Sequence, residues 1–384
     1  MEFEAGVLIL MTFGLQCTKE SLRRFGAGVE RLIKGGDLCR EESRDMFAEV
    51  LQDLQPDIAQ GAFLAAMSAK GATPEELAGA WEAIFEIDTT KAHPNVSGPL
   101  AENCGTGMDS IKTFNISTAA ALVAATDGLP VARHGSRAIT SRCGTVDLLE
   151  VLGIDVDCEV DVVKRSIERA GIGMFNGMSG KVHPKSLYRI LSQIRFGTVL
   201  NIAASLANPA MPKYGVRGVY CPEMVTPVAR TMKEIGYKRA MVVHGMDDGG
   251  ERGMDEISTL GKTLVALLEL DGEIIEYEIS ASYLGIAKAQ ERELLYSGET
   301  ESEAIELIRL LSGNGSAARA DIAAINAAAL LFVSGRASSL ESGFAKAQDI
   351  IESGRAINVL SSWIDEQGRR EDGRARFEQL LSAA

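Results

Sequence analysis

Asn103 to Thr118 reads N-C-G-T-G-M-D-S-I-K-T-F-N-I-S-T and holds the residue types that an anion site needs. Gly105 and Gly107 let a ligand approach the backbone closely, and the stretch runs into a helix predicted to begin near Ser117. A glycine loop followed by a helix N-terminus offers unpaired amides and the positive end of a dipole. Asn115, Ser117 and Thr118 add amide and hydroxyl groups at the same entrance, where they could hold phosphate oxygens or a metal-bound phosphate. Alone these three are also ordinary helix caps, and a lone G-x-G pair is a weak signal. Both features in one loop point to phosphate.

Two further clusters follow. Arg133-His134-Gly135-Ser136-Arg137 and then Thr140-Ser141-Arg142-Cys143-Gly144-Thr145 bring three arginines and several hydroxyls to the end of a predicted strand. Any one of these arginines would most simply pair with a surface carboxylate. Together, in a chain of 39 basic and 53 acidic residues with net charge −14, they reverse the local sign and suggest an anionic ligand. The third cluster, His244-Gly245-Met246-Asp247-Asp248 and then Met254-Asp255-Glu256, ends a strand with a Gly-rich acidic loop. Mg²⁺ takes carboxylate and phosphate oxygens together, so acids facing a polyphosphate would be its ligands. The loop offers four candidates, which leaves the ligand assignment open.

Composition excludes several classes. The negative charge argues against a nucleic-acid binder, which needs a basic face. Six cysteines without a C-x-x-C pair fit neither a disulfide framework nor a zinc site, and read as reduced thiols in a cytoplasm. No two of the four histidines have metal-ligand spacing, and neither G-x-S-x-G nor H-E-x-x-H occurs. The apolar start, Met1 to Leu15, lacks a basic region and is too short to span a membrane. At 384 residues and 46% hydrophobic content, the chain makes one large domain or two unequal ones.

The elements that must position these clusters are legible in outline. From Ser21 to about Ile87 the apolar spacing is helical, with Thr73-Pro74-Glu75-Glu76 as a capping-box start. Predicted strands are Ala101 to Asn103, Val131 to His134, Val216 to Tyr220 and Arg239 to His244, then Leu264 to Leu270 and Glu273 to Ile279 joined at Asp271-Gly272, a hairpin signal. Helices are predicted over 117–127, 145–152, 160–170, 222–235, 302–311, 321–333 and 340–353, several closed by glycine. The alternation implies an α/β domain with a mainly parallel central sheet, an antiparallel hairpin and a helical tail. Trp81 and Trp363 read as packing residues.

Taken together, these motifs resemble the anthranilate phosphoribosyltransferase family, whose pattern runs G-T-G-G-D, T-F-N-I-S-T, K-H-G-N-R, S-S-x-x-G-S-x-D-L-L, L-T-N-P and H-G-x-D-G-L-D-E. Here those positions are Gly105 to Asp109, Thr113 to Thr118, Arg133 to Arg137, Thr140 to Leu149, Leu206 to Pro209 and His244 through Glu256. The resemblance covers roughly residues 21 to 360 and implies the nucleoside phosphorylase/phosphoribosyltransferase type of fold. Its parts would be an N-terminal extension (1–20), a small all-helical domain (21–90, completed by helices from about 160–195) and a larger α/β domain (91–384). It further implies a homodimer that binds 5-phosphoribosyl-1-diphosphate (PRPP) with Mg²⁺ in the cleft between the domains and transfers phosphoribosyl to the amino group of anthranilate or a similar small aromatic acid. With anthranilate as acceptor, the reaction belongs to tryptophan biosynthesis.

The same resemblance places the diphosphate and ribose on Gly105, Thr106, Gly107, Asp109 and Thr113, with Asn115, Ser117 and Thr118 on phosphate and metal. Ser141 and Arg133, which stands where the family has lysine, add to the donor contacts. Asp255 and Glu256 match the metal pair and Ser117 shares a cation, so that Arg133, Asp255 and Glu256 support the chemical step. His134, Gly135 and Ser136 match the acceptor pocket. Departures fall mainly on that side: Met108 replaces a glycine of the phosphate loop, Ser136 an asparagine, and Leu187 the arginine expected to face the acceptor's carboxylate. Arg189 is the substitute two residues on, although that step turns it about 200° around a helix. Rival readings are a relative with another acceptor, and a non-catalytic relative that binds PRPP or nucleic acid, against which the charge weighs.

Overall fold

The computed structural model describes residues 17–107, 109–137, 144–194 and 197–384. Two units are distinct. His183–Ala207 joins the chain up to Thr89 in a helical unit, and Thr90–Val182 with Asn208–Ala384 forms an α/β unit. Helix Val160–Ala170 thus belongs to the α/β unit, and the segment that rejoins the N-terminal helices is 183–207 rather than 160–195.

In the helical unit, helices Lys19–Ile33, Arg40–Leu51, Asp57–Lys70 and Pro74–Ile87 bury Phe25, Phe47 and Phe63, whose rings meet edge to face. Thr73 and Glu76 form the reciprocal cap: Thr73 N donates to Glu76 Oε2 at 2.8 Å, and Glu76 N to Thr73 Oγ1 at 3.2 Å. Helices Leu187–Gln193 and Val199–Leu206 complete the unit. The buried Asp88 carboxylate accepts the amides of Lys185 (2.5 Å), Ser186 (2.9 Å) and Leu187 (2.7 Å), which satisfies the start of the first of these helices. Trp81 Nε1 donates to Leu206 O at 2.9 Å, a packing role as expected.

The α/β unit is built on one sheet in the order β3-β2-β1-β4-β5-β7-β8, with β6 paired to β5. The strands are β1 Ala101–Gly105, β2 Val131–Gly135, β3 Ile172–Asn176, β4 Tyr214–Gly218, β5 Arg239–Met246, β6 Gly253–Met254, β7 Lys262–Leu268 and β8 Ile274–Ser280. The first five in spatial order are parallel, and β7 and β8 close the sheet as the Asp271-Gly272 hairpin. Buried residues alternate between two cores: Val131, Ile172 and Met174 join one, Ala132 and Phe175 the other. Parallel sheets are covered on both faces in this way. Helix Ile116–Thr126, rich in fully buried alanines, packs closely on Ala317–Val333. Among the described residues, no helix is long and apolar enough to cross a membrane.

One buried network fixes the sheet's centre. Glu102 of β1 accepts from Arg217 of β4 at 2.6 Å, from Tyr237 Oη at 2.6 Å and from Asn208 Nδ2 at 2.8 Å. Asn208 also donates to Ala132 O of β2 at 2.8 Å, so a single carboxylate ties three strands and the Asn208-Pro209 turn together.

Candidate active site

The carboxyl ends of β1, β2, β4 and β5 bring the predicted clusters to one edge of the sheet, where parallel α/β proteins bind ligands. Registration places Gly105 of β1 directly beside Gly218 of β4. Neither position has room for a side chain. A Cβ on Gly105 would lie 1.9 Å from Asp255 Oδ2, and one on Gly218 would lie 1.5 Å from Asp255 O. The two glycines form a cradle into which Asp255 fits, and its Oδ2 accepts the Gly107 amide at 2.8 Å. Gly107 itself adopts φ +67°, a left-handed conformation that glycine adopts without strain. Thr106 braces the loop, its amide donating to Gly218 O at 3.0 Å and its hydroxyl accepting from Tyr220 N at 3.1 Å.

The acidic loop divides into two parts. Asp247 accepts the amides of Glu251 and Arg252 at 3.0 and 3.3 Å, and Asp248 pairs with Lys288 at the surface. Asp255 and Glu256 turn inward after β6, held by Asn326, which accepts Ile257 N at 2.9 Å and donates to Ile257 O at 3.0 Å. Their third companion is Asp109, brought in because Ser110 and Ile111 donate their amides to Gly253 O at 3.1 Å. One oxygen from each of Asp109, Asp255 and Glu256 lies within 4.8 Å of the others. Sequence reasoning places Asp109 on the donor and misses it as a member of this triad, because 146 residues separate it from Asp255 and only the β6 contact joins them.

The electrostatics fit a divalent cation. Burial first, and then the Asp255 charge, raise the Asp109 carboxyl to about 6. Glu256 is pushed well above the usual carboxylate range by burial, Asp255 and Asp109 in that order, and among the described residues its buried Oε2 has no hydrogen-bond partner. Three crowded acids, one with an unpartnered oxygen, are an oxygen-rich donor set of the kind Mg²⁺ takes. Lys112 pairs with Asp109 at 3.1 Å and offsets part of the charge.

The cationic partner of this site is buried. Arg133 of β2 is 3% exposed, and burial lowers its guanidinium to about 10. Its Nη1 donates to Thr118 Oγ1 at 2.5 Å and its Nη2 to Ser117 Oγ at 3.0 Å, across the start of helix Ile116–Thr126. Thr118 is fully buried, whereas Ser117, Asn115 and Thr113 are half-buried at the helix entrance. Asn103, which sequence reasoning misses, donates from Nδ2 to Ser117 O at 2.7 Å. Its place on β1 two residues before the glycine loop is the available signal.

On the acceptor side, His134 is buried on β2, Gly135 O accepts the Gly177 amide at 2.8 Å, and Ser136 Oγ donates to Arg137 O at 3.1 Å. Arg137 pairs with Asp147 and Glu150 at 3.1 and 2.7 Å. Ser141, Met108 and the other residues of 138–143 lie outside the described residues. Leu187, in place of arginine, is buried in the helical unit. Arg189 lies in the same unit, where it donates to Val50 O at 2.8 Å and Gln60 Oε1 at 3.5 Å and pairs with Asp53 at 3.4 Å. Those bonds cap the end of helix Arg40–Leu51, a use of the side chain that the acceptor expectation does not include.

Residues 97–357 match the model of the glycosyl transferase family α/β domain, and residues 29–86 match that of the family's helical bundle domain. The chain is 37% identical to an anthranilate phosphoribosyltransferase of Methanococcoides burtonii over 90% of this chain and 96% of the relative. Among solved structures, the anthranilate phosphoribosyltransferase of Thermus thermophilus superposes with a TM-score of 0.80 at 32% identity, covering 88% of this chain and 99% of that one. The Saccharomyces cerevisiae enzyme in complex with PRPP and Mg shares the fold at a TM-score of 0.75 and 23% identity, covering 89% and 97%. Family models over both units and relatives of near-equal length agree with the motifs at the sheet edge: the chain belongs to the anthranilate phosphoribosyltransferase family.

Proposed function

We propose that this chain is a pentosyltransferase that moves the 5-phosphoribosyl group of PRPP to the amino group of anthranilate, releasing diphosphate, a step of tryptophan biosynthesis. The observation that carries the reading is the meeting of the Gly105–Gly107 loop, the start of helix Ile116–Thr126 and the Asp109, Asp255, Glu256 triad at one sheet edge. The hydroxyl of Ser117 at the helix start faces the diphosphate beside the glycine loop, whose Thr106 and Gly107 amides are bonded to Gly218 O and Asp255 Oδ2 rather than left open as the sequence suggests; Gly105, Thr106, Gly107, Thr113 and Asn115 complete the donor site, with Ser141 further along the chain. Arg133 supplies positive charge beneath the helix start.

Asp109, Asp255 and Glu256 would hold Mg²⁺, which when bound supplies charge neutralisation for the departing diphosphate. The protein's own part is to aim fixed dipoles at the leaving group while positive charge develops on the sugar, and to align donor and acceptor. A neutral attacking amine needs no strong general base. His134, Gly135 and Ser136 form the acceptor side. The free thiols of Cys17, Cys39, Cys104, Cys158 and Cys221 suit a cytoplasmic enzyme. The exposed Ile33 and Ile58 of the helical unit, at 70% and 88%, suit burial against a second copy in a homodimer. Incubation with PRPP, anthranilate and Mg²⁺ should consume anthranilate with equimolar release of diphosphate. No turnover at saturating acceptor would remove the reading.

A further inference from the structure

Three like-charged carboxylates with oxygens within 4.8 Å of one another repel, so an acid on an exposed loop leaves such a group unless its backbone is pinned. Asp109 is that acid. Its neighbour Ser110 is exposed, yet its amide and its hydroxyl are both committed to one residue of another loop. The Ser110 amide donates to Gly253 O at 3.1 Å, and the hydroxyl accepts the Gly253 amide at 2.9 Å while donating to Gly253 O at 3.2 Å. Serine can do both at once, having one hydroxyl proton and two lone pairs. Gly253 is in turn held by the fold. It pairs with Met246 at the start of β6, and a Cβ on it would lie 2.2 Å from Cε1 of His244, a buried ring whose Nδ1 donates to Val219 O at 2.8 Å. Glycine is required where that ring and the backbone touch.

We propose that Ser110 is a positioning residue: its two-way clasp on Gly253 holds Asp109 opposite Asp255 and Glu256, so that the triad is set before any phosphate arrives. The path between the acids is short. Asp109 is the residue next to the clasp on one side and Asp255 follows Gly253 by two residues on the other, so little slack remains between the two carboxylates. Lys112 also pairs with Asp109 at 3.1 Å, but its side chain is 39% exposed, and an exposed ion pair does little to fix a loop. The serine hydroxyl is neither a cation ligand nor a donor contact; it acts through Asp109.

The inference rests on the proposed cation site, and Mn²⁺ binding without substrate tests it. Mn²⁺ takes the same oxygen ligands as Mg²⁺, and its free form is counted by electron paramagnetic resonance. Ser110→Ala should weaken Mn²⁺ binding about 3- to 10-fold, the loss expected for one or two hydrogen bonds. With no phosphate present, that loss cannot come from a donor contact. Ser110→Thr remakes the clasp with its methyl in solvent and should bind within about twofold of the wild type; a loss equal to that of alanine would overturn the proposal. Asp109→Asn completes a double-mutant cycle, and in that background Ser110→Ala should change the affinity by less than about twofold. Multiplying losses would show that Ser110 supports the site at large rather than Asp109, and unchanged affinity in Ser110→Ala would show that the clasp positions nothing. Either result overturns the proposal and leaves the cation site standing. A thermal midpoint of Ser110→Ala far below the wild type assigns the loss to the fold and overturns it as well. Mn²⁺ taken up by the wild type only after diphosphate is added would overturn the preset triad but keep the transferase reading; uptake under neither condition would remove both.

Discussion

Gly105→Ala places a methyl group where the fold holds a carboxylate. The new Cβ would lie 1.9 Å from Asp255 Oδ2 and 2.4 Å from its Cγ. Ordinary contact requires the oxygen to retreat by about 1.5 Å. Its 2.8 Å bond from the Gly107 amide then stretches out of hydrogen-bond range, and the three acids no longer converge. A hydrogen bond to a charged acceptor contributes roughly 1.5–3 kcal/mol, so the affinity for Mg²⁺ should fall by about 10- to 150-fold. Titration calorimetry with the cation alone measures this without any turnover. Gly107→Ala is the control. That residue sits at φ +67°, and among the described residues nothing lies within 4 Å of its added Cβ, so alanine costs about 1–2 kcal/mol of backbone strain in stability while leaving Asp255 in its cradle. Cation affinity should survive Gly107→Ala and collapse in Gly105→Ala. Unchanged affinity in Gly105→Ala, or equal losses in both, would refute the cradle.

Other outcomes follow from the same structure. With Asp109 at about 6 and Glu256 raised as well, protons compete with the cation, so Mg²⁺ affinity should fall by about tenfold per unit as pH drops below about 6; a flat profile in calorimetry would contradict the triad. For the metal-free protein the sign is opposite to that of a salt-bridged acid. The folded state keeps the Asp109 proton after the unfolded chain has lost it, so the Asp109 contribution to stability falls, by on the order of 3 kcal/mol, as pH rises from about 4 to 6, and added cation restores it. Glu102→Gln leaves the buried Arg217 charge uncompensated and should cost about 3–5 kcal/mol in denaturant unfolding; a loss under about 1 kcal/mol would mean the network is not structural. Arg189→Ala removes the bond to Val50 O and should cost about 1 kcal/mol of stability while leaving the KM for anthranilate within about twofold; a large rise in that KM would instead put the guanidinium on the acceptor.

The strands that carry the site are legible because each has a short apolar run with a glycine or arginine signature at its carboxyl end. Periodicity ends two of them one or two residues short, at Asn103 and His134 rather than Gly105 and Gly135, since glycine weakens a strand signal where the chain needs close approach. β3 escapes the sequence altogether: Ile172 to Asn176 follows Gly171 without a loop, is buried throughout, and shows no alternation to read. Helices Ala356–Gln367 and Gly373–Ala383 stay within an unassigned tail. In the site, the glycine loop, Asn115 to Thr118 and Asp255-Glu256 stand out because phosphate and cation chemistry restricts residue types over a short span. Asp109's place beside the acids, the Gly218 wall of the cradle and the fork of Arg133 do not, because each depends on strands that are neighbours only in space. Periodicity cannot report that Gly105 lies beside Gly218.

The position of the diphosphate defines the site. A crystal structure of the protein with PRPP and Mg²⁺ tests it most directly. The predicted result has diphosphate oxygens within hydrogen-bond distance of Ser117 Oγ and beside the Gly105–Gly107 loop, with cation density among Asp109, Asp255 and Glu256. PRPP bound away from the Gly105–Gly107 loop, or a cation held by other residues, would contradict it.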